Sequence, residues 1–327
     1  LSSREALRAL LSEPVPHEIV AAADAARRES FGVRSTVSLV DHLDPAGAWG
    51  TCPLTGIVAT GGFASDLEQV SDRTTDLVLL PAPGASLDDL ASLWGQLPPR
   101  PSGPGFVPTA QLGTTDTWIA AIDASGAEDA AALAHLKGLQ IVSDGVFPVA
   151  HPVRGAHARE RWERFWRAAA TAGLSGHATV LYGPGHDLDS VFAQLDAITE
   201  VQRDTGVFLS VAPCIFQPDQ LGSDDALLTQ ASLDLRVWAA CRLDDTGVEH
   251  VSLRYERSDL KSAHTALRCG VDDLVGHLYL GDRDKKADTD SFDLSITEMD
   301  RWLREVGLEL SIRNGRFDTV SPSEVLA

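Results

Sequence analysis

Cysteine, methionine, tyrosine and positive charge are all scarce in this chain. Four cysteines occur in 327 residues, and Cys52, Cys214, Cys241 and Cys269 are far apart, with no C-x-x-C pair. That excludes a disulfide framework and a compact zinc or redox motif, and it suits reduced thiols in the cytoplasm, the expected location. Lys and Arg number 27 against 47 Asp and Glu, a formal charge of -20. A field of that sign repels phosphate backbones and anionic lipid, so neither nucleic acid nor a membrane surface is expected as a partner. No stretch approaches the roughly 20 apolar residues of a membrane helix. The opening residues read as helices of a domain and not as a signal peptide. Internal repeats and low-complexity tails are missing as well.

What is there is an ordinary globular composition, with 44% apolar and 23% charged residues. Apolar spacing predicts amphipathic helices over 3–11 and 17–30, then over 155–173, 188–204, 224–243, 258–269 and 295–306. Strand-like runs fall at Thr36–Val40, Leu77–Leu80, Gln140–Val142, Thr179–Tyr182, Val207–Ala212, Val251–Tyr255 and Leu274–Leu280. One or two weaker strands fit between Phe106 and Ile122. Strands alternating with helices predict a parallel sheet in an α/β fold, most simply a single (β/α)8 TIM-type barrel. The expected limits are N-terminal helices over 1–33, the barrel over 34–307 and a C-terminal extension over 308–327. Asn314-Gly315 marks a hairpin turn in that extension. The Pro- and Gly-rich stretch Leu97–Pro108 reads as an insertion between barrel units.

In such a barrel, chemistry gathers at the C-terminal ends of the strands. Asp41 and His42 end the first strand, and His42 is either an acid/base and substrate contact or a cap on the strand–loop junction. Tyr182 and His186 lie at the open end of the fifth strand, and Glu256 follows a later one. Tyr182 suits a substrate contact or a hydrogen-bonded core phenol. Phe216 and Gln217 can hold a planar ring by stacking and an amide contact, with Cys214 beside them read as a buried thiol. His177 begins its strand and is expected in a structural role at the closed end. Asp272 and Asp273 open the last strand on opposite faces, so they are no glycosidase pair; one is structural and Asp273 is the candidate inner contact. His277 completes that strand's candidates. Arg283, Lys285 and Lys286 form the basic cluster in the next loop, either a solvated turn or a grip on an anionic ligand, with Arg283 as its candidate. Ten histidines occur without H-E-x2-H or H-x3-H spacing, so no metal site is expected. Trp162, Phe165 and Trp166 read as core.

Several stretches together resemble a radical-SAM group. They are His177-Ala-Thr-Val-Leu-Tyr-Gly183, Thr205-Gly-Val-Phe208 leading into Ala212-Pro-Cys-Ile-Phe-Gln-Pro218, Trp238-Ala-Ala-Cys-Arg-Leu243 and Cys269-Gly-Val-Asp-Asp-Leu-Val-Gly276. Val37-Ser-Leu-Val-Asp-His-Leu-Asp-Pro45 is similar to the group's opening, and the group too has a histidine at the position of His42. The group comprises aminofutalosine synthase, dehypoxanthine futalosine cyclase and the deazaflavin FO synthase subunits. The resemblance implies a barrel and a place near menaquinone (futalosine) biosynthesis. It also implies a ligand that is a nucleoside or a chorismate-derived aromatic compound. The group carries C-x3-C-x2-C after the first strand, three thiolates for one [4Fe–4S] cluster. Here that loop holds Cys52 alone: its companion positions are Ala48 and Thr55, Gly56 and Ala59, or Pro45 and Trp49, depending on register. The group's turn for the SAM amino group corresponds to Pro81-Ala-Pro-Gly-Ala-Ser86. No resident cofactor is expected: a [4Fe–4S] cluster lacks its ligands, and S-adenosylmethionine is left open. Three functions then compete. They are a cluster-less enzyme or ligand-binding barrel with acid/base chemistry, an inactive partner of an active radical-SAM relative (or a homodimer), and a cluster held by unusual ligands.

Overall fold

Apolar residues at helical spacing build a layer of helices against one face of a mostly parallel sheet. The computed structural model describes residues 4–12, 16–40, 57–58, 78–80, 86–88, 109–110, 115–134, 141–143, 156–183, 187–215, 231–254, 260–279 and 294–320. The helices are α1 Arg4–Ser12, α2 Pro16–Phe31, α3 Thr115–Ser125, α4 Asp129–Ala134, α5 Ala156–Thr171, α6 Leu188–Thr205, α7 Ala231–Leu243, α8 Leu260–Leu267 and α9 Ile296–Glu305. The longer strands are β1 Arg34–Val40, β6 Ser175–Tyr182, β7 Phe208–Ile215, β8 His250–Arg254, β9 Asp273–Tyr279 and β11 Glu309–Arg313. Shorter ones are β2 Ile57–Val58, β3 Val78–Leu80, β4 Thr109–Ala110, β5 Ile141–Ser143, β10 Leu294–Ser295 and β12 Thr319–Val320.

Helix α5 shows how sequence becomes packing. Trp162, Phe165, Trp166 and Ala169 fall on one face and are each fully buried. Trp166 meets Phe208 of β7 edge-on at 4.8 Å, and Trp118 of α3 lies 5.5 Å from Phe165. This aromatic cluster ties three elements together, and edge-on pairs of this kind add to the area they bury. Helix α6 starts at Asp187, whose carboxylate accepts from the Ser190 N–H at 2.9 Å, and stops at Gly206 in the left-handed region. The weaker strands expected between Phe106 and Ile122 are corrected in part. β4 occupies Thr109–Ala110, but Thr115–Ser125 is helical, because Trp118, Ile119 and Ile122 are buried at i, i+1, i+4.

The sheet runs β12-β11-β1-β9-β8-β7-β6-β5-β4-β3-β2, with β10 beside β9, and every pairing is parallel except β11 with β12. The closed (β/α)8 barrel is where structure and expectation part. Closure needs the strand after β1 on the β1 edge that β9 leaves open. Among the described residues that edge pairs with β11, Arg34 to Ser38 against Glu309 to Arg313. The hairpin expected around Asn314-Gly315 is present as β11 and β12, Ile312 opposite Val320. No described helix is long and apolar enough to cross a membrane.

Candidate functional site

Strand alternation separates two faces. Ala178, Val180 and Tyr182 of β6, Val211 of β7, Val251 and Leu253 of β8 and Leu274 of β9 join the core beneath the helices. The residues between them face the other way, and toward the starts of the strands they are polar. His177 Nδ1 lies 2.7 Å from Ser210 Oγ, and Ser252 Oγ donates to Asp273 Oδ2 at 2.6 Å. Thr36 Oγ1 donates to Asp273 Oδ1 at 2.8 Å. Five of these residues stand in the first three positions of their strands, so this row marks the sheet's N-terminal end.

Arg313 closes the row. Its Nε and second terminal nitrogen donate to the two oxygens of Asp273 at 2.6 and 2.7 Å, a bidentate pair with both side chains buried. Burial alone would raise the Asp273 carboxyl. The Arg313 charge and the hydrogen bonds from Arg313, Ser252 and Thr36 together outweigh that and hold it below the ordinary carboxylate value. Asp272 does separate work, as opposite-facing neighbours must. Its oxygens take the Arg242 guanidinium, the Val251 N–H at 2.8 Å and His250 Nδ1 at 2.7 Å. His250 is stacked between two rings, Phe31 at 5.1 Å and Phe317 at 3.8 Å. Arg313 covers the Phe317 ring at 4.0 Å, and Arg242 lies 5.3 Å from the Phe31 ring.

The residues expected in the site divide as follows. Asp273 is the Arg313 partner just described, at the N-terminal end of its strand and not at a mouth. Its expected contact with ligand gives way to an ion pair, because both of its oxygens are already engaged. Tyr182 ends β6 and is 1% exposed, within the core between that strand and α7. Burial first, then the Asp234 carboxylate and a hydrogen bond to it, raise the phenol well above its ordinary value. A phenol so held donates to Asp234 and does not give up its proton. It ties β6 to α7, and the core alternative fits its placement where the substrate contact does not. His277 lies in β9 in register with Val40. Asp41, His42, His186, Phe216, Gln217, Glu256, Arg283 and Cys52 lie outside the described residues. Of the named candidates, the described residues thus include Tyr182, Asp273 and the strand position of His277.

Residues the sequence reading passed over hold the geometry instead. Gln194 of α6 is fully buried, and its amide accepts from the Leu181 N–H at 2.7 Å and donates to the Leu181 carbonyl at 2.8 Å. The described pairing of β5 with β6 ends at His177, so Gln194 occupies the place a strand partner would take. His250 and Phe317 had no motif around them, and Arg242 lay within the Trp238–Leu243 stretch without being singled out. Only the Asn-Gly turn hinted that the chain folds back near Phe317.

Among the described residues no group of three or more His, Cys, Asp or Glu is placed to hold a metal ion. The thiols do not fit a three-thiolate cluster. Cys241 of α7 and Cys269 after α8 are buried in the core, and burial raises both thiols, Cys269 to about 12. Neither can join Cys52 as a thiolate without unpacking the helix layer. Cys214, next to last in β7, is partly buried and in register with Leu181.

Comparison with known proteins carries the sequence reading further. No family model matches the chain. The 5-amino-6-(D-ribitylamino)uracil–L-tyrosine 4-hydroxyphenyl transferase 2 of Methanosarcina barkeri is 29% identical over 146 residues, 42% of this chain and 38% of that protein. Aminodeoxyfutalosine synthase of Thermus thermophilus is 30% identical over 131 residues, 38% and 35% of the two chains. That of Streptomyces coelicolor is 28% identical over 181 residues, 50% and 46%. The chain resembles the aminofutalosine radical-SAM group. It spans less than half the length of these curated relatives. Among solved structures, methylornithine synthase (PylB) superposes with a TM-score of 0.60 at 14% identity, covering 94% of each chain. HydG from Carboxydothermus hydrogenoformans gives 0.60 at 13%, covering 94% of this chain and 75% of its own. These two share the fold.

Proposed function

We propose that this chain is a cluster-less relative of the aminofutalosine radical-SAM group, an α/β protein that binds a nucleoside or a chorismate-derived aromatic ligand. The observation that carries it is the thiol donor set beside the kept resemblance. One cysteine stands in the loop that needs three, and Cys241 and Cys269 are committed to the core. The names of the relatives support the ligand class: one acts on a ribitylaminouracil and tyrosine, the other makes aminodeoxyfutalosine. In this reading the ligand sits at the C-terminal strand ends, above the paired row at the base. Asp41, Phe216, Gln217, His277 and Arg283 bind it there, and His42, His186 and Glu256 hold or move protons. Thr179, Ala212 and Cys214 alternate onto one face with His177 and Ser210 and have small side chains. The chemistry is proton transfer at the ligand, with no step routed through iron, sulfide or SAM.

Two measurements test this. Anaerobic reconstitution with iron and sulfide, followed by an absorbance scan, is expected to give no iron–sulfur bands; a stoichiometric cluster refutes the cluster-less reading. A thermal-shift series with futalosine, 5-amino-6-(D-ribitylamino)uracil, tyrosine and chorismate is expected to raise Tm for at least one compound. No shift with any of them, together with co-purification of an active radical-SAM protein from the native host, transfers support to the inactive-partner reading.

A further inference from the structure

The base of the sheet carries a conformational device that the proposed chemistry does not use. Phe317 has φ +67, the one non-glycine residue described with positive φ. A large side chain is uncomfortable there and stays only where its surroundings hold it. What holds it is the ladder Arg242–Phe31–His250–Phe317–Arg313, in which the Phe317 and His250 planes lie within 6° of each other. Apart from Arg313 Nη1, which donates to the Asn314 carbonyl at 2.9 Å, the turn around Phe317 is otherwise bonded to itself. Asn314 Oδ1 accepts from the Arg316 and Asp318 N–H groups, Asn314 Nδ2 donates to Asp318 Oδ2, and the Phe317 N–H donates to the Asn314 carbonyl. Both ends of the turn are anchored, at Arg313 by the Asp273 pair and at Val320 in the core.

We propose that residues 314–318 form a flap over the N-terminal end of the sheet, closed here and poised to lift between those anchors. Lifting takes Phe317 off His250, relaxes its backbone and uncovers the polar row of His250 and His177, whose ring lies 6.0 Å from Phe317. The hydrogen bonds of the turn all close within five residues of chain, so they open with it when it lifts.

Hydrogen exchange and imidazole acylation by diethyl pyrocarbonate, read by mass spectrometry, test the flap in the full chain. In the unaltered protein the Phe317 and Asp318 amides are expected to exchange at least about tenfold faster than those of β8 and β9, by local opening. Phe317→Asn removes the ring but accepts the left-handed backbone. It is expected to speed acylation of His250 and His177 about tenfold, with exposed His17 unchanged as the internal control. Phe317→Tyr, which keeps the stack, should restore the slow rate. Exchange of 314–318 at the same rate as β8 and β9 shows an integral part of the core and overturns the proposal. So does acylation of His250 that does not respond to Phe317→Asn. Should the Asn variant fail to fold, the exchange experiment on the unaltered chain decides alone.

Discussion

Arg313→Met isolates the pair on which the base of the sheet depends. The substitution keeps most of the side-chain volume and removes the charge, leaving Asp273, 0% exposed, with only the Thr36 and Ser252 hydroxyls as donors. An uncompensated buried carboxylate costs about 3–5 kcal/mol, a large share of a typical folding stability. Asp273→Leu should cost a similar amount by stranding the guanidinium. The double variant strands neither charge, and replacing a whole buried pair with apolar side chains is often near neutral. Two unpaired hydroxyls then account for a loss of about 1 kcal/mol each. Urea denaturation of the four proteins at pH 7 gives the coupling energy directly. An Arg313→Met cost below about 1 kcal/mol, or a double variant as unstable as the sum of the singles, refutes the reasoning. The acid limb gives a second readout. A carboxyl held below its unfolded value adds stability that is present above the unfolded pKa and disappears as pH falls through the folded one. The unaltered protein should therefore lose stability as pH drops below about 4. Asp273→Asn should show a flatter acid limb.

Three further outcomes follow from other parts of the structure. Gln194→Leu leaves the buried N–H and carbonyl of Leu181 without their partner and should cost about 2–4 kcal/mol by urea denaturation, without changing helix content by circular dichroism. Gly270→Ala should destabilise by more than about 1 kcal/mol. Gly270 has φ +99, and an added Cβ would lie 2.5 Å from Arg242 Cβ, an atom close to that helix's backbone. Iodoacetamide at pH 8 should leave Cys241 and Cys269 unmodified in the folded protein and label both in urea, by peptide mass spectrometry. Burial keeps these thiols protonated, and rapid folded-state labelling of either would contradict the core placement.

Much of the fold was legible in the sequence. The 155–173 and 188–204 patterns appear as Ala156–Thr171 and Leu188–Thr205 because their apolar residues repeat at helical spacing and a left-handed glycine follows each. The opposite facing of Asp272 and Asp273 was legible too, from the two-residue period of a strand. The closed barrel was not. Local pattern announces strands but not which edge a strand takes, and β11 on the edge of β1 is a pairing across more than 270 residues of chain. The site was harder still, since most named candidates fall outside the described residues, and Tyr182 and Asp273 have core partners that no local motif announces.

Composition, spacing and motifs determined the α/β class, the resemblance to the aminofutalosine group and the lone cysteine in the loop where that group has three. These properties are local, written in nearest neighbours along the chain. The tertiary structure alone decided that Asp273 belongs to Arg313, that Gln194 completes β6 and that His250 lies between Phe31 and Phe317. Each joins residues from separate elements, and a buried charge or amide takes its meaning from the groups that fold against it.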